Sequence, residues 1–195
     1  MTTKKGLIIG LSGAQGSFSE EAARFYCLKH TISDAELKYL VSVEGVLSAL
    51  TREDIDKGIF PIENSNGGIV YEAVHAMAKH TFTVEEFFDI DVRHNLLVRP
   101  GVKREEVSLI TSHDQALKQC RMYLKKHWPE VHIEEYSDTA QAAKDLGEGK
   151  LPKTAAVIAP MTAAKLYKLD ALEESIQDLK FNFTTFLAVS ERKGE

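Results

Sequence analysis

"FPIENSNGGIV", residues 60–70, opens on three apolar residues, Phe60-Pro61-Ile62, passes through Glu63-Asn64-Ser65-Asn66, and reaches a glycine pair, Gly67-Gly68, before apolar residues return. An apolar run that stops at amides, a hydroxyl and two glycines reads as a buried strand delivering a polar loop. In open α/β sheets the carboxyl end of a strand is where ligands bind. Whether this loop is a turn or the wall of a small-anion site depends on the chain around it.

Short apolar runs alternate with helical patterns on both sides of the loop. Gly6–Leu11 ("GLIIGL") predicts a buried strand running into a glycine-rich turn and a helix, "SGAQGSFSEEAARFYCLKH". Further strands are predicted at Leu40–Val43, Gly58–Ile62, Val92–Val98, Val107–Ile110, Ile133–Tyr136, Ala155–Ile158 and Phe186–Val189. Helices are predicted near residues 45–52, 69–79, 113–127, 139–146 and 160–167. This alternation is the signature of an α/β fold.

The chain of 195 residues suits one medium domain or two small lobes. With 44% hydrophobic and 27% charged residues it has the composition of a soluble globular protein. A net charge of −5 argues against a nucleic-acid partner, because phosphate binding wants a basic surface. The basic pair Lys4-Lys5 leads only into Gly6–Leu11 before Ser12, too brief for a signal h-region. No run approaches the ~18 apolar residues of a membrane span. A cytoplasmic location with no membrane partner is the expectation.

Cys27 and Cys120 form no CxxC motif. Cys120 falls in the helical stripe Ala116, Leu117, Cys120, Tyr123, Leu124, which marks it as a core residue. The histidines form no HExxH signature, and His75 and His80 are five apart, the wrong spacing for two ligands on one helix face. No metal is implied.

Three strand-to-helix junctions carry a capping box or its analogue: Ser17-x-x-Glu20, Ser112-x-x-Gln115 and Asp138-x-x-Gln141. Helix N-termini offer free N–H groups and partial positive charge, which suit carboxylates and phosphates. Ser112, Gln115 and Gln119 are spaced i, i+3, i+7, so the pattern puts them on one helix face. They are neutral donors able to hold a carboxylate without an ion pair. The glycines of "GLSGAQGS" fit neither dinucleotide nor P-loop spacing.

Together these stretches resemble the catalytic domain of prephenate dehydratases. "SGAQGSFSEEAA", "PIENSNGGIV", "HNLLV", "SHDQALKQC", "DTAQAAK", "AAVIAPMTAAKLYKLDALEESIQD" and "NFTTF" occur in the family's order, covering about residues 6–190. The resemblance implies two α/β lobes built like a type-II periplasmic binding protein, with the active site in the cleft between them. Lobe one would be residues 1–80 plus 178–195, and lobe two residues 81–177. It implies conversion of prephenate, or alternatively arogenate, with loss of water and CO2 in phenylalanine biosynthesis, with no cofactor and in a homodimer. Carried over by position are Thr184 as the catalytic hydroxyl and Asn64, Ser112 and Gln119 as substrate contacts. Ser65, Gly67, His113, Gln115 and Thr139 complete the expected substrate-binding set.

Two departures stand out. Thr185 occupies the position of the family's arginine, which could pair with a substrate carboxylate; Arg93, Arg99 and Lys180 are candidate substitutes. The sequence stops at Glu195 with no phenylalanine-binding ACT domain after it, so feedback inhibition by phenylalanine is not expected. A prephenate decarboxylase and a non-catalytic binding module are the alternatives, and Thr184 favours dehydration.

Overall fold

The computed structural model describes residues 6–192, so Lys4-Lys5 lies outside the described residues. The elements run β1 (Ile8–Leu11), α1 (Phe18–Lys29), β2 (Glu36–Tyr39), α2 (Val43–Thr51), β3 (Lys57–Asn64), β4 (Gly68–Ile69), α3 (Tyr71–Met77), β5 (Phe82–Asp91) and β6 (Asn95–Val98). There follow β7 (Leu109–Ser112), α4 (Asp114–Gln119), α5 (Arg121–His127), β8 (His132–Glu135), α6 (Thr139–Gly147), β9 (Ala155–Ala159), α7 (Met161–Tyr167), β10 (Asp170–Glu173) and β11 (Phe183–Glu191). They divide between two compact units, each with its own sheet. The α/β class expected from the sequence is the one found.

Unit one holds the described residues of Met1–Ala14, Phe18–Ile90 and Phe183–Glu195. Its sheet has the order β2-β1-β3-β11-β5, with β4 on β3. β1 runs parallel to β2 and β3, and β11 runs antiparallel to β3. Both faces are covered. On one face Val46 and Leu47 of α2 and Ala73 and Ala76 of α3 pack on Phe60, Leu187 and Val189; on the other Ala22, Ala23 and Tyr26 of α1 pack on Ile9, Leu11, Phe88, Phe186 and Ala188. The second strand is at Glu36–Tyr39, not Leu40–Val43. It is an edge strand, exposed at Glu36 and only partly buried at Leu37, Lys38 and Tyr39, and so shows no continuous apolar run. Val43 instead opens α2, where Ser42 Oγ accepts from Gly45 N.

β5 has no counterpart among the predicted strands. Thr83, Val84 and Glu85 are exposed and carry no apolar alternation, which hides the strand in the sequence; the acidic pair finds partners on distant segments, Glu85 with Lys57 and Tyr26 and Glu86 with Lys29 and His30. Because β5 completes the first sheet, the chain leaves unit one after Ile90 and returns at Phe183. The boundaries expected at 80/81 and 177/178 therefore shift.

Unit two holds Gln15–Ser17 and Asp91–Asn182, with sheet order β10-β6-β9-β7-β8. β7 runs parallel to β8 and β9. The single helix expected over 113–127 is two helices broken at Cys120 (φ −111°, ψ 10°). The break has a partner: Asp178 accepts from Met122 N and Tyr123 N at 2.8 Å each, capping α5 from outside the helix. The apolar stripe survives it, with Ala116, Cys120 and Leu124 buried together beside Trp128 and Ile110. No helix among the described residues is long and apolar enough to cross a membrane.

Candidate functional site

In unit one the loop of residues 60–70 is a hairpin. Asn64 stands opposite Gly68 in the β3–β4 pairing and opposite Thr184 in the β3–β11 pairing. Asn64 Oδ1 accepts from Gly67 N at 2.7 Å and Asn66 N at 3.0 Å. These two backbone donors settle which end of the amide is which, so Nδ2 faces the neighbouring strand. There it donates to Thr184 Oγ1 at 2.8 Å and to Phe183 O at 3.3 Å. Ser65 extends the pairing: its N–H donates to Phe183 O, and its Oγ accepts from Phe183 N. Gly68 has φ +76°, a conformation glycine adopts without strain.

Thr184 is 8% exposed and receives a hydrogen bond from Asn64. A hydroxyl that accepts from a fixed amide keeps its own hydrogen for another acceptor and is a stronger donor for it. The structure thus brings together Asn64, Ser65, Gly67 and Thr184.

In unit two the parallel strands β7, β8 and β9 end at Ser112, Glu135 and Ala159, and a helix follows each. His113, not Ser112, caps α4, its Nδ1 accepting from Gln115 N at 3.3 Å. Ser112 is fully buried, and its hydroxyl donates to Ile158 O at 2.7 Å, tying β7 to β9; Thr139 Oγ1 lies 3.5 Å away. Asp138 caps α6 by accepting from Gln141 N at 2.8 Å. The Gln141 side chain does not complete the box; it bonds Asp145. Ser112 ends β7 and lies outside α4, so the helical spacing does not extend to it; Gln115 and Gln119, four apart in α4, differ in burial, Gln115 exposed and Gln119 half-buried.

Gln119 Oε1 accepts from His94 Nε2 at 2.7 Å and from Asn182 Nδ2 at 2.9 Å. His94 is 4% exposed, and burial holds its pKa below the ordinary histidine range, against the opposing pull of the Gln119 bond. A neutral, buried imidazole and a buried asparagine therefore fix the glutamine's oxygen. His94 and Asn182 were not among the residues singled out from the sequence, although they open "HNLLV" and "NFTTF". A polar pair leading straight into buried apolar residues, His94-Asn95 before Leu96, was the available signal.

The candidate cations are committed elsewhere or exposed. Arg93 pairs with Asp91, Arg99 donates to Leu146 O and Leu151 O, and Lys180 is exposed. Among the described residues no group of three or more His, Cys, Asp or Glu side chains could hold a metal ion. Cys120 is fully buried and its thiol pKa is pushed up by burial, as suits a core residue.

A family model described as prephenate dehydratase matches residues 9–194. The chain belongs to the prephenate dehydratase family. It is 31% identical over 193 residues to a bifunctional chorismate mutase/prephenate dehydratase of Stutzerimonas stutzeri, a match covering 99% of this chain and 51% of that protein. It is 35% identical over 185 residues to arogenate dehydratase/prephenate dehydratase 1 of Arabidopsis thaliana, covering 93% of this chain and 44% of that protein. The chain spans about half the length of these curated relatives. Among solved structures, a prephenate dehydratase from Arthrobacter aurescens in complex with L-Phe superposes with TM-score 0.86 at 27% identity, covering 96% of this chain and 61% of that chain. A putative methionine-binding lipoprotein of Bacillus subtilis shares the fold at TM-score 0.52 and 13% identity, covering 96% and 84% of the two chains. The type-II binding-protein class expected of this prephenate dehydratase-family chain accords with that likeness.

Proposed function

We propose that the chain catalyses decarboxylative dehydration of prephenate to phenylpyruvate in L-phenylalanine biosynthesis, with Thr184 assisting the leaving group. One observation carries the reading: a nearly buried Thr184 hydroxyl accepts from Asn64 Nδ2, so its hydrogen is available to a departing oxygen. Prephenate carries two carboxylates and a ring hydroxyl at C4. As the C4–O bond breaks, the electron pair of the bond to the ring carboxylate enters the ring, CO2 leaves and the ring becomes aromatic. The departing hydroxide takes a proton and leaves as water. A threonine is a weak acid in water, but a desolvated and oriented hydroxyl stabilises charge developing on that oxygen.

The remaining residues divide into direct substrate contacts and one that acts through its neighbours. Gln119, its oxygen fixed by His94 and Asn182, supplies an amide donor to a substrate carboxylate; Ser65, Gly67, His113, Gln115 and Thr139 are further contacts. Ser112 acts indirectly, by fixing the end of β7 beside Thr139. Arogenate enters as a second substrate of the same class because a relative at 35% identity bears both names. We take the chain as a homodimer, as the family resemblance implies, and place it in the cytoplasm; light scattering and cell fractionation test the two.

Pure protein incubated with prephenate, and separately with arogenate, and followed by ultraviolet absorption tests the activity. An aromatic product, phenylpyruvate or phenylalanine respectively, supports dehydration. A non-aromatic product means decarboxylation with the hydroxyl retained. Saturable binding without product means a binding module.

A further inference from the structure

Thr185 follows Thr184 directly, yet the two side chains occupy opposite faces of the sheet. Along β11, Phe186 and Ala188 pack in the core beneath α1, whereas Leu187 and Val189 pack in the core beneath α2. Counting back by twos puts Thr184 on the α1 face and Thr185 on the α2 face; the β3–β11 register shifts between Thr185 and Phe186, but the unpaired residue there, Ile62, is on β3, so β11 itself gains no residue. The neighbouring strand agrees, because Asp89 stands between Phe88 and Ile90, both in the core beneath α1, and so lies on the face of Thr185. Thr185 Oγ1 donates to Asp89 Oδ1 at 2.7 Å, and Thr185 stands opposite Glu63 in the β3–β11 register.

We propose that Thr185 is a positioning residue that ties β11 to β5 on the face away from the reacting hydroxyl, and that position 185 offers nothing to the substrate's carboxylates. The inference rests on Thr184 being the reacting group. A threonine has one hydrogen to donate, and Asp89 receives it. A substrate carboxylate brought to the same place would meet Asp89 and Glu63, two like charges. Thr184, by contrast, depends on β11 holding its register, because its partner Asn64 is on the next strand.

The test compares T185V, T185S, T185R and D89N with the unaltered protein by steady-state kinetics on prephenate, thermal unfolding and amide hydrogen exchange. A group displaced only in the transition state lowers kcat and kcat/KM together, so T185V and D89N are expected to lower kcat about 3- to 10-fold with KM within about twofold. T185S restores kcat. T185R places a guanidinium between Glu63 and Asp89, which raises the melting temperature and leaves KM within about twofold. A fall in KM of about fivefold or more in T185R, or such a rise in T185V at constant kcat, would overturn the proposal by placing position 185 on the substrate. Unchanged kcat in T185V would overturn it too. If the unaltered protein turns over neither prephenate nor arogenate, the activity reading fails by itself and hydrogen exchange decides the positioning. Faster exchange in T185V confined to Phe183 and Thr184, with Leu187–Val189 unchanged, supports it; unchanged exchange throughout refutes it.

Discussion

Asn64 Nδ2 lies 2.8 Å from Thr184 Oγ1, across a strand pairing that sets the two residues directly opposite each other. The pairing turns a loop amide into a fixed donor and a strand threonine into an oriented hydroxyl. A dehydratase needs both properties at one oxygen, and each can be removed separately.

Replacing Thr184 with alanine removes the donor. kcat is expected to fall by at least about 100-fold, the usual cost of losing one preorganised donor, while serine keeps much of it. Steady-state turnover of prephenate checks this, and near-normal turnover in the alanine variant would exclude Thr184 from the chemistry.

Asn64→Asp keeps the acceptor for Asn66 N and Gly67 N but replaces the amide donor with a second acceptor. Thr184 would then give its hydrogen to residue 64 rather than to the leaving group. The expected result is a kcat lower by about 100-fold with the hairpin intact, as judged by circular dichroism.

His94 offers a pH-dependent observable. Its pKa is depressed in the folded state by burial, so the unfolded chain binds the proton first as pH falls. Stability from this group is present above the ordinary histidine value and is lost as pH falls from there toward the folded pKa, with a slope no steeper than about 1.4 kcal/mol per pH unit. Denaturant titrations between pH 7 and 5 should show that slope, flattened in His94→Gln. His94→Phe also frees one side of Gln119 and is expected to raise KM about 10-fold.

Gly68 has φ +76° with nothing within 4 Å of the position a Cβ would take. Gly68→Ala therefore costs only backbone strain, about 1–2 kcal/mol, measurable as a shift in the unfolding midpoint at unchanged m-value. No shift would mean that the loop relaxes to another turn.

The cysteines should differ in reactivity. Burial raises both thiol pKa values, but Cys120 is fully enclosed and Cys27 is only partly so. An aromatic disulfide reagent should label Cys27 first, with Cys120 reacting only as the protein unfolds.

Much of this arrangement is legible in the sequence because it is written in local patterns. The run Gly58–Ile62 ends in amides and glycines, and the structure puts a strand and a hairpin there; Cys120 reads as core from its stripe and is core. What escapes the sequence depends on distant partners. α4 and α5 separate because Asp178 caps α5 from more than fifty residues downstream. The α4 cap passes from Ser112 to His113 because Ser112 is drawn into the sheet by Ile158. The orienting roles of His94 and Asn182 appear only when three segments meet at Gln119. Thr185 looks like a lost arginine until alternation along β11 shows which face it occupies.

β11 comes after every other element in chain order, yet it lies inside its sheet, between β3 and β5. Until β11 is in place, β3 and β5 have no strand between them, and the amides and carbonyls that pair with β11 lack those partners. The segment that fills this gap is also the one that carries Thr184. Closure of the sheet and delivery of the Thr184 hydroxyl opposite Asn64 thus depend on the same strand, and a molecule lacking it has neither.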